Sequence, residues 1–345
     1  MRVWLTVLGL VVFAVVGAAT IWWYFASSLG ERQLLSAQER LAKQGYVLKF
    51  GKVERSGFPV RLEWVLRDVS IETVAQSSRP RAGMGHPAAR GQIDVLRFSA
   101  KPWAPQRLAY VADGRHIWHV DSQGDAGWLE IVIAETAGTL RPRDGEAGWF
   151  LDAQLRHVEA QSEKPGTPPL LVDTVGVAVE MPLSMDAMDV EARVRDVVLP
   201  LETYLGKALQ SAAVTARIQP LPQGFSAGDL RAWRGRSGLV TVRDASLHFG
   251  PVQGSAGGAL GLDAALRGEG NVNLRVREPN RLIAVGIEAG WIEERQRPML
   301  NFALGLFARR NVSGSPEVLL PLNLRDGGLW LGPVRLTDLP PVVTD

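Results

Sequence analysis

Residues 316–331 read PEVLLPLNLRDGGLWL, and their pattern decides the fold class. Val318, Leu320, Leu322 and Leu324 recur at every second position, so in an extended chain they share one face. Asp326-Gly327-Gly328 follows, and Leu329 opens the next run. Alternation flanking an Asp-Gly pair is a strong signal for a tight antiparallel hairpin. The same period of two recurs upstream. Val60, Leu62, Trp64 and Leu66 alternate with Arg61, Glu63 and Val65, and Val175, Val177, Val179 and Met181 alternate with small or polar residues. Val272, Leu274 and Val276 alternate with Asn271, Asn273, Arg275 and Arg277. Half-buried strands of this kind belong to antiparallel sheets with one wetter face. No βαβ rhythm is visible. The expected class is mainly β with some helices (α+β): long twisted antiparallel sheets covered by short helices.

One strand changes phase midway. Val240 and Val242 share a parity, and Ala245, Leu247 and Phe249 take the other after Arg243-Asp244, which predicts a bulge. Helices are expected at 201–213, at about 281–289 after Pro279-Asn280, and at roughly 298–309. Residues 75–91 and 161–169 read as loops rich in Gly, Pro and polar residues, and 219–228 is a third break. The expected organisation is an anchor over 1–28, an amphipathic stalk helix over 29–45, a first antiparallel half over 46–160, and a second half with helices over 170–345.

The N-terminal segment sets the expected location. After Arg2 there is no charge until Glu31, and Val3 to Ala26 exceeds the roughly 20 apolar residues that span a bilayer. Trp4 near its start and Trp22, Trp23, Tyr24 and Phe25 at its far end read as interfacial anchors. Arg2 and the α-amino group place the N-terminus in the cytoplasm, so the body is expected outside the cytoplasmic membrane, in a bacterium's periplasm. The rival reading is a signal peptide cleaved near Gly17 and Ala19.

Composition excludes several classes. Basic and acidic residues nearly cancel, 38 against 36, so no nucleic-acid partner is expected. No cysteine is present, which removes disulfides, thiolate catalysis and Cys-ligated metals. His116 and His119 in HIWH stand three apart on an expected strand, hence on opposite faces and unsuited to one metal. His248 alternates with Leu247 and Phe249, on the wetter face of its strand. Asp244, Asp263 and Ser255 lack a nucleophile elbow that would join them to His248 as a triad. Glu293-Glu294 and the pair Asp186 and Asp189 read as solvated acids. No cofactor, metal or catalytic site is expected. Arg61, Arg67, Arg193, Arg195, Arg275 and Arg277 oppose the apolar faces, which suits a solubilising surface or one that meets anionic lipid head groups.

Several landmarks occur together: Ser56-Gly57-Phe58-Pro59 before a strand, Lys101-Pro102-Trp103-Ala104-Pro105, Leu230-Arg231-Ala232-Trp233 leading into 238–276, and PLNLRDGGLWLGPVRLTDLPP at 321–341. With the N-terminal segment, their order resembles an uncharacterised bacterial envelope family catalogued as domain of unknown function number 2125. The layout is also similar, more loosely, to AsmA-like envelope proteins, whose extended β-grooves are linked to lipid transport. The first resemblance implies no activity. On the residues alone, Gly57 and Pro59 fix a turn that presents Phe58, Trp103 plugs the end of a sheet, and Gly250 sits in a strand connection. Trp233, Asp326 and Gly327 are further structural landmarks. The expected function is non-enzymatic: a membrane-anchored envelope protein that binds membrane lipid on a curved sheet. The alternative is an assembly scaffold for an envelope protein partner.

Overall fold

A computed structural model describes residues 46–73, 89–121, 128–143, 147–164, 166–184, 186–222, 224, 226–277, 279–288, 294–298, 308–310, 316–331 and 334–343, with scattered helical positions between 20 and 42. Most of them belong to one antiparallel sheet. Short β1 (Tyr46–Lys49) and β2 (Glu54–Ser56) precede long β3 (Leu62–Thr73), β4 (Ala89–Lys101), β5 (Ala104–Asp121), β6 (Trp128–Pro142) and β7 (Gly148–Ser162). The meander continues through β8 (Leu170–Pro182), β9 (Met188–Thr203), β10 (Gly206–Gln219), β11 (Leu239–Phe249), β12 (Val252–Leu262) and β13 (Gly268–Arg277). It closes with β14 (Ala308–Arg310), β15 (Pro316–Arg325), β16 (Gly328–Leu331) and β17 (Val334–Asp338). Among the described residues it is interrupted by α1 (Ala227–Gly235), α2 (Pro279–Glu288) and a short 3-10 turn, Glu294–Gln296.

From β3 to β13 every strand pairs with its neighbour in sequence, and β13 then pairs with β15. β7 runs to Ser162 and pairs directly with β8, so the strands on either side of the expected break at 161–169 are parts of one continuous ladder. Both flanks are built from paired short strands. β1 and β2 divide the outer edge of β3, and β14 and β16 divide that of β15. The 326–327 hairpin forms as the pattern predicts: Asp326 and Gly327 have φ of 52° and 66°, as a type I′ turn requires.

A line of skipped positions crosses eight strands. Asp68, Asp94, Gly114, Ala134, His157, Asp173, Asp196 and Gln210 have no partner in either neighbouring ladder. Asp68, His157 and Asp196 take φ near 50° and Gly114 takes 87°. An extra residue in a strand reverses its alternation and bends it. Because the extra residues are aligned, the apolar side chains on both sides of the line point to one concave face. Ile93 gives way to Leu96, Ile133 to Thr136, and Leu155 to Val158 without leaving it. The phase change at Arg243-Asp244 is a separate bulge, where the β11–β12 register slips between Val242 and Ala245.

Three expectations need correction. Residues 201–213 form the end of β9, a turn at Tyr204-Leu205 and the start of β10, not a helix. Ala and Leu favour helix locally, but pairing on both sides of β10 prevails. Of the helix expected over roughly 298–309, Pro298 is helical, 299–307 lie outside the described residues, and 308–309 belong to β14 rather than to a helix. A helix occupies Ala227–Gly235, next to an expected break. Its signal was Ser226-x-x-Asp229, whose reciprocal hydrogen bonds form a capping box. The helix expected near 281–289 is α2, and most of 75–91 lies outside the described residues.

Every second connection lies at the same end of the sheet. At that end β2 leads to β3 through 57–61, β4 to β5 through 102–103, β6 to β7, β8 to β9, β10 by way of α1 to β11, β12 to β13 through 263–267, and β15 to β16 through 326–327. The principal core is packed there: Leu62, Trp64, Leu66, Val69 and Ala100 close around Trp23, with Phe98 and Leu108 against them. Among the described residues no helix is long and apolar enough to cross a membrane, and Val3–Ala26 falls mainly outside them.

Candidate functional site

The concave face of β4 to β8 carries an open groove of about 650 Å³. Ile93, Leu96 and Phe98 of β4 form one wall, and Leu151, Leu155, Val158 and Val175 of β7 and β8 form the other. Its floor is β5 and β6, with Leu108, Ala112, Ile131, Ile133 and Leu140. Only Tyr110, His116, Trp118 and Thr136 bring a nitrogen or oxygen to the lining. The volume lies within the range of small-molecule sites, roughly 300–1,000 Å³, but such sites carry more convergent polar groups.

Two aromatic rings shape the floor by lying across glycines. A Cβ on Gly91 would stand 2.4 Å from the Trp118 ring, and one on Gly138 would stand 2.5 Å from Tyr110 Oη and 2.0 Å from the Asp152 carbonyl oxygen. Tyr110 Oη donates to that carbonyl at 2.9 Å. Burial, and then the Asp152 charge, raise the Tyr110 pKa above its usual value, so the ring stays a neutral donor.

His116 is the exception in the apolar lining. It is 1% exposed, and neither ring nitrogen has a hydrogen-bond partner. Burial lowers its pKa, and the nearby Asp94 carboxylate only partly opposes this. The unfolded chain therefore takes up a proton first, near pH 6.5. Stability is expected to hold above that value and to fall as the pH drops from it toward the lowered folded pKa. Chemical denaturation of His116→Leu across pH 5–8 checks this. The variant should lose that part of the slope and gain about 1–3 kcal/mol at neutral pH, since an unpaired buried donor and acceptor are removed.

The other polar candidates are not brought together. His119 faces away from His116 and pairs with Glu130 at 3.4 Å. His248 meets Gln253 at 3.2 Å near the far end of the sheet. Asp263 lies at the opposite end, inside its own turn, where it accepts from Ala265 N at 2.8 Å and Arg267 N at 2.9 Å. Burial works to raise the Asp263 pKa, but these bonds and the Arg267 charge outweigh it and hold the carboxyl below the usual range. Ser255 pairs with Ser246 in the ladder. Among the described residues no three metal-ligating side chains converge. Asp189 bridges Arg217 at 3.0 Å and Arg243 at 2.6 Å across β9 to β11, Asp186 accepts from Ser184, and Glu294 pairs with Arg297. Glu293 lies outside the described residues. Arg67 pairs with Glu54 and Arg193 with Glu191, while Arg61, Arg195, Arg275 and Arg277 are exposed.

A family model described as an uncharacterised protein conserved in bacteria, domain of unknown function 2125, matches residues 22–340. The chain belongs to this family. No curated protein and no solved structure matches it.

Several of the segments that carry the resemblance to the family, 56–59, 101–105, Trp233 and the 326–327 turn, lie at the core end. Gly57, with φ 91°, turns the chain so closely that a Cβ would stand 2.7 Å from the Arg61 carbonyl oxygen. Phe58, followed by Pro59, packs edge-on to Trp23 at 5.5 Å. Trp103 does not plug the sheet: it is 69% exposed at the β4–β5 turn, with the Lys101 ammonium 5.9 Å from its ring. The plug is Trp23, 6% exposed, whose Nε1 donates to the Arg61 carbonyl at 2.7 Å. Trp22 is half exposed and donates to the Pro102 carbonyl at 2.8 Å, and Tyr24 is exposed beside Trp23. Trp4 and Phe25 lie outside the described residues. Trp233, buried in α1, covers Gly238 and donates to the Pro220 carbonyl. Gly250 lies at the far end, where a Cβ would meet the Leu205 carbonyl.

Proposed function

We propose that the chain is a non-enzymatic, membrane-anchored protein of the bacterial periplasm that holds lipid acyl chains in its groove. The carrying observation is the groove itself, an open channel on the concave face whose lining is almost wholly hydrocarbon. Monomeric proteins rarely leave such a surface to water, so an apolar occupant is the economical reading. The apolar run Val3–Ala26 supports the anchor, and the resemblance to AsmA-like proteins points the same way.

Extraction of the full chain from membranes without detergent, followed by mass spectrometry of the bound lipid, tests the reading. Acyl lipid should accompany the wild-type chain in stoichiometric amount. Leu155→Lys, which places a charge in the groove wall, should fold and carry severalfold less. A wild-type chain free of lipid would sink the proposal. Crosslinking that captured one stoichiometric envelope protein over the groove would favour the scaffold reading instead.

A further inference from the structure

The core end of the sheet carries apolar side chains outside as well as inside. Phe58, Val60 and Trp103, on adjoining turns, are 48%, 68% and 69% exposed, and Trp22 and Tyr24, on the helical segment against them, are 48% and 61% exposed. Arg61 and Lys101 stand exposed among them. Aromatic rings with a polar edge, mixed with basic residues, are the composition that favours a bilayer–water interface with anionic lipid. The chain's own path supplies the occupant. Trp22 and Trp23 stand near the end of the apolar run Val3–Ala26, and both are tied to these turns, one through Pro102 and the other through Arg61. The body therefore has no slack at this end through which to stand off from the point where that run leaves the lipid.

We infer that the end of the sheet formed by 57–61 and 101–104 lies against an anionic lipid bilayer, with the strands rising from it. The groove then opens toward the lipid. Phe98, Leu108, Leu140 and Leu151 form the part of it nearest this end, and Leu151 is 39% exposed there. The opposite end, at Leu201 and Tyr204, stands away from the membrane. This rests on the anchored reading above and adds the orientation.

The absence of native cysteine allows single labels. Val60→Cys and Trp103→Cys report the near end, and Leu201→Cys and Tyr204→Cys, at similarly exposed sites, report the far end. Each full-length variant, carrying an environment-sensitive fluorophore, is reconstituted in phosphatidylglycerol–phosphatidylethanolamine vesicles containing nitroxide-labelled lipid. Near-end labels should be quenched severalfold more than far-end labels. Equal quenching, or stronger quenching at Leu201 and Tyr204, in protein that floats with the vesicles overturns the orientation alone. Protein that fails to float overturns the anchored reading and this inference with it.

Discussion

Trp23→Ala is expected to lower stability by about 3–5 kcal/mol, the range for truncating a buried tryptophan. The ring is 6% exposed, fills the space among Leu62, Trp64, Leu66 and Ala100, and makes edge contacts with Tyr24 and Phe58. Removing it leaves a cavity and an unpaired Arg61 carbonyl. Trp22→Ala, at a half-exposed position, should cost far less. A chain beginning at Thr20 should match the full body in a urea titration, whereas one beginning at Glu31 should unfold at markedly lower urea. Equal midpoints for these two chains would show that the tryptophan plug contributes little. The comparison bears on processing as well. Cleavage near Ala19 would keep Trp23 in the core, so the packing accommodates either fate of the segment before it.

Gly138→Val is the second large effect. A Cβ at this position meets the Asp152 backbone oxygen at 2.0 Å, and backbone in a paired strand cannot swing aside as a side chain can. Tyr110 must also leave its place across the glycine and give up its bond to that oxygen. Overpacking of a fitted site costs about 1–3 kcal/mol, and the backbone clash places this variant at or above the top of that range. Tyr110 would be pushed into the groove, so bound lipid should fall along with the denaturation midpoint. Gly176→Ala in β8 is the control. Nothing lies within 4 Å of its Cβ, and the change should be neutral or slightly stabilising. Comparable losses from both substitutions would show that glycine sites in this sheet are not distinguished by close approach.

The parts legible in the sequence were those fixed by local pattern. Asp326-Gly327 between alternating runs specified its turn, because only residues tolerant of positive φ fit there. The slip at Arg243-Asp244 was visible because both flanks alternate cleanly. The aligned bulges from Asp68 to Gln210 were not. Each strand contributes one position to the line, and their alignment exists only once the registers are set. Residues 201–213 misled because alanine and leucine state a helical preference that two ladders override. The groove was foreseen as a face but not as a channel, since its depth depends on Gly91 and Gly138 lying beneath rings from neighbouring strands. Trp23 read as interfacial because its place under the Gly57–Arg61 turn is a long-range contact that no spacing announces.

The strand order has a consequence for how such a body is made. From β3 to β13 each strand finds its partner in the strand just before it. Chain-closure entropy rises with the length of loop to be closed, and here most connections are short, 74–88 and 220–238 being the exceptions. A chain emerging from one end can lay each new strand on the last without waiting for residues still to come. Its cooperativity is then close to that of a one-dimensional array, in which each unit leans on its two neighbours.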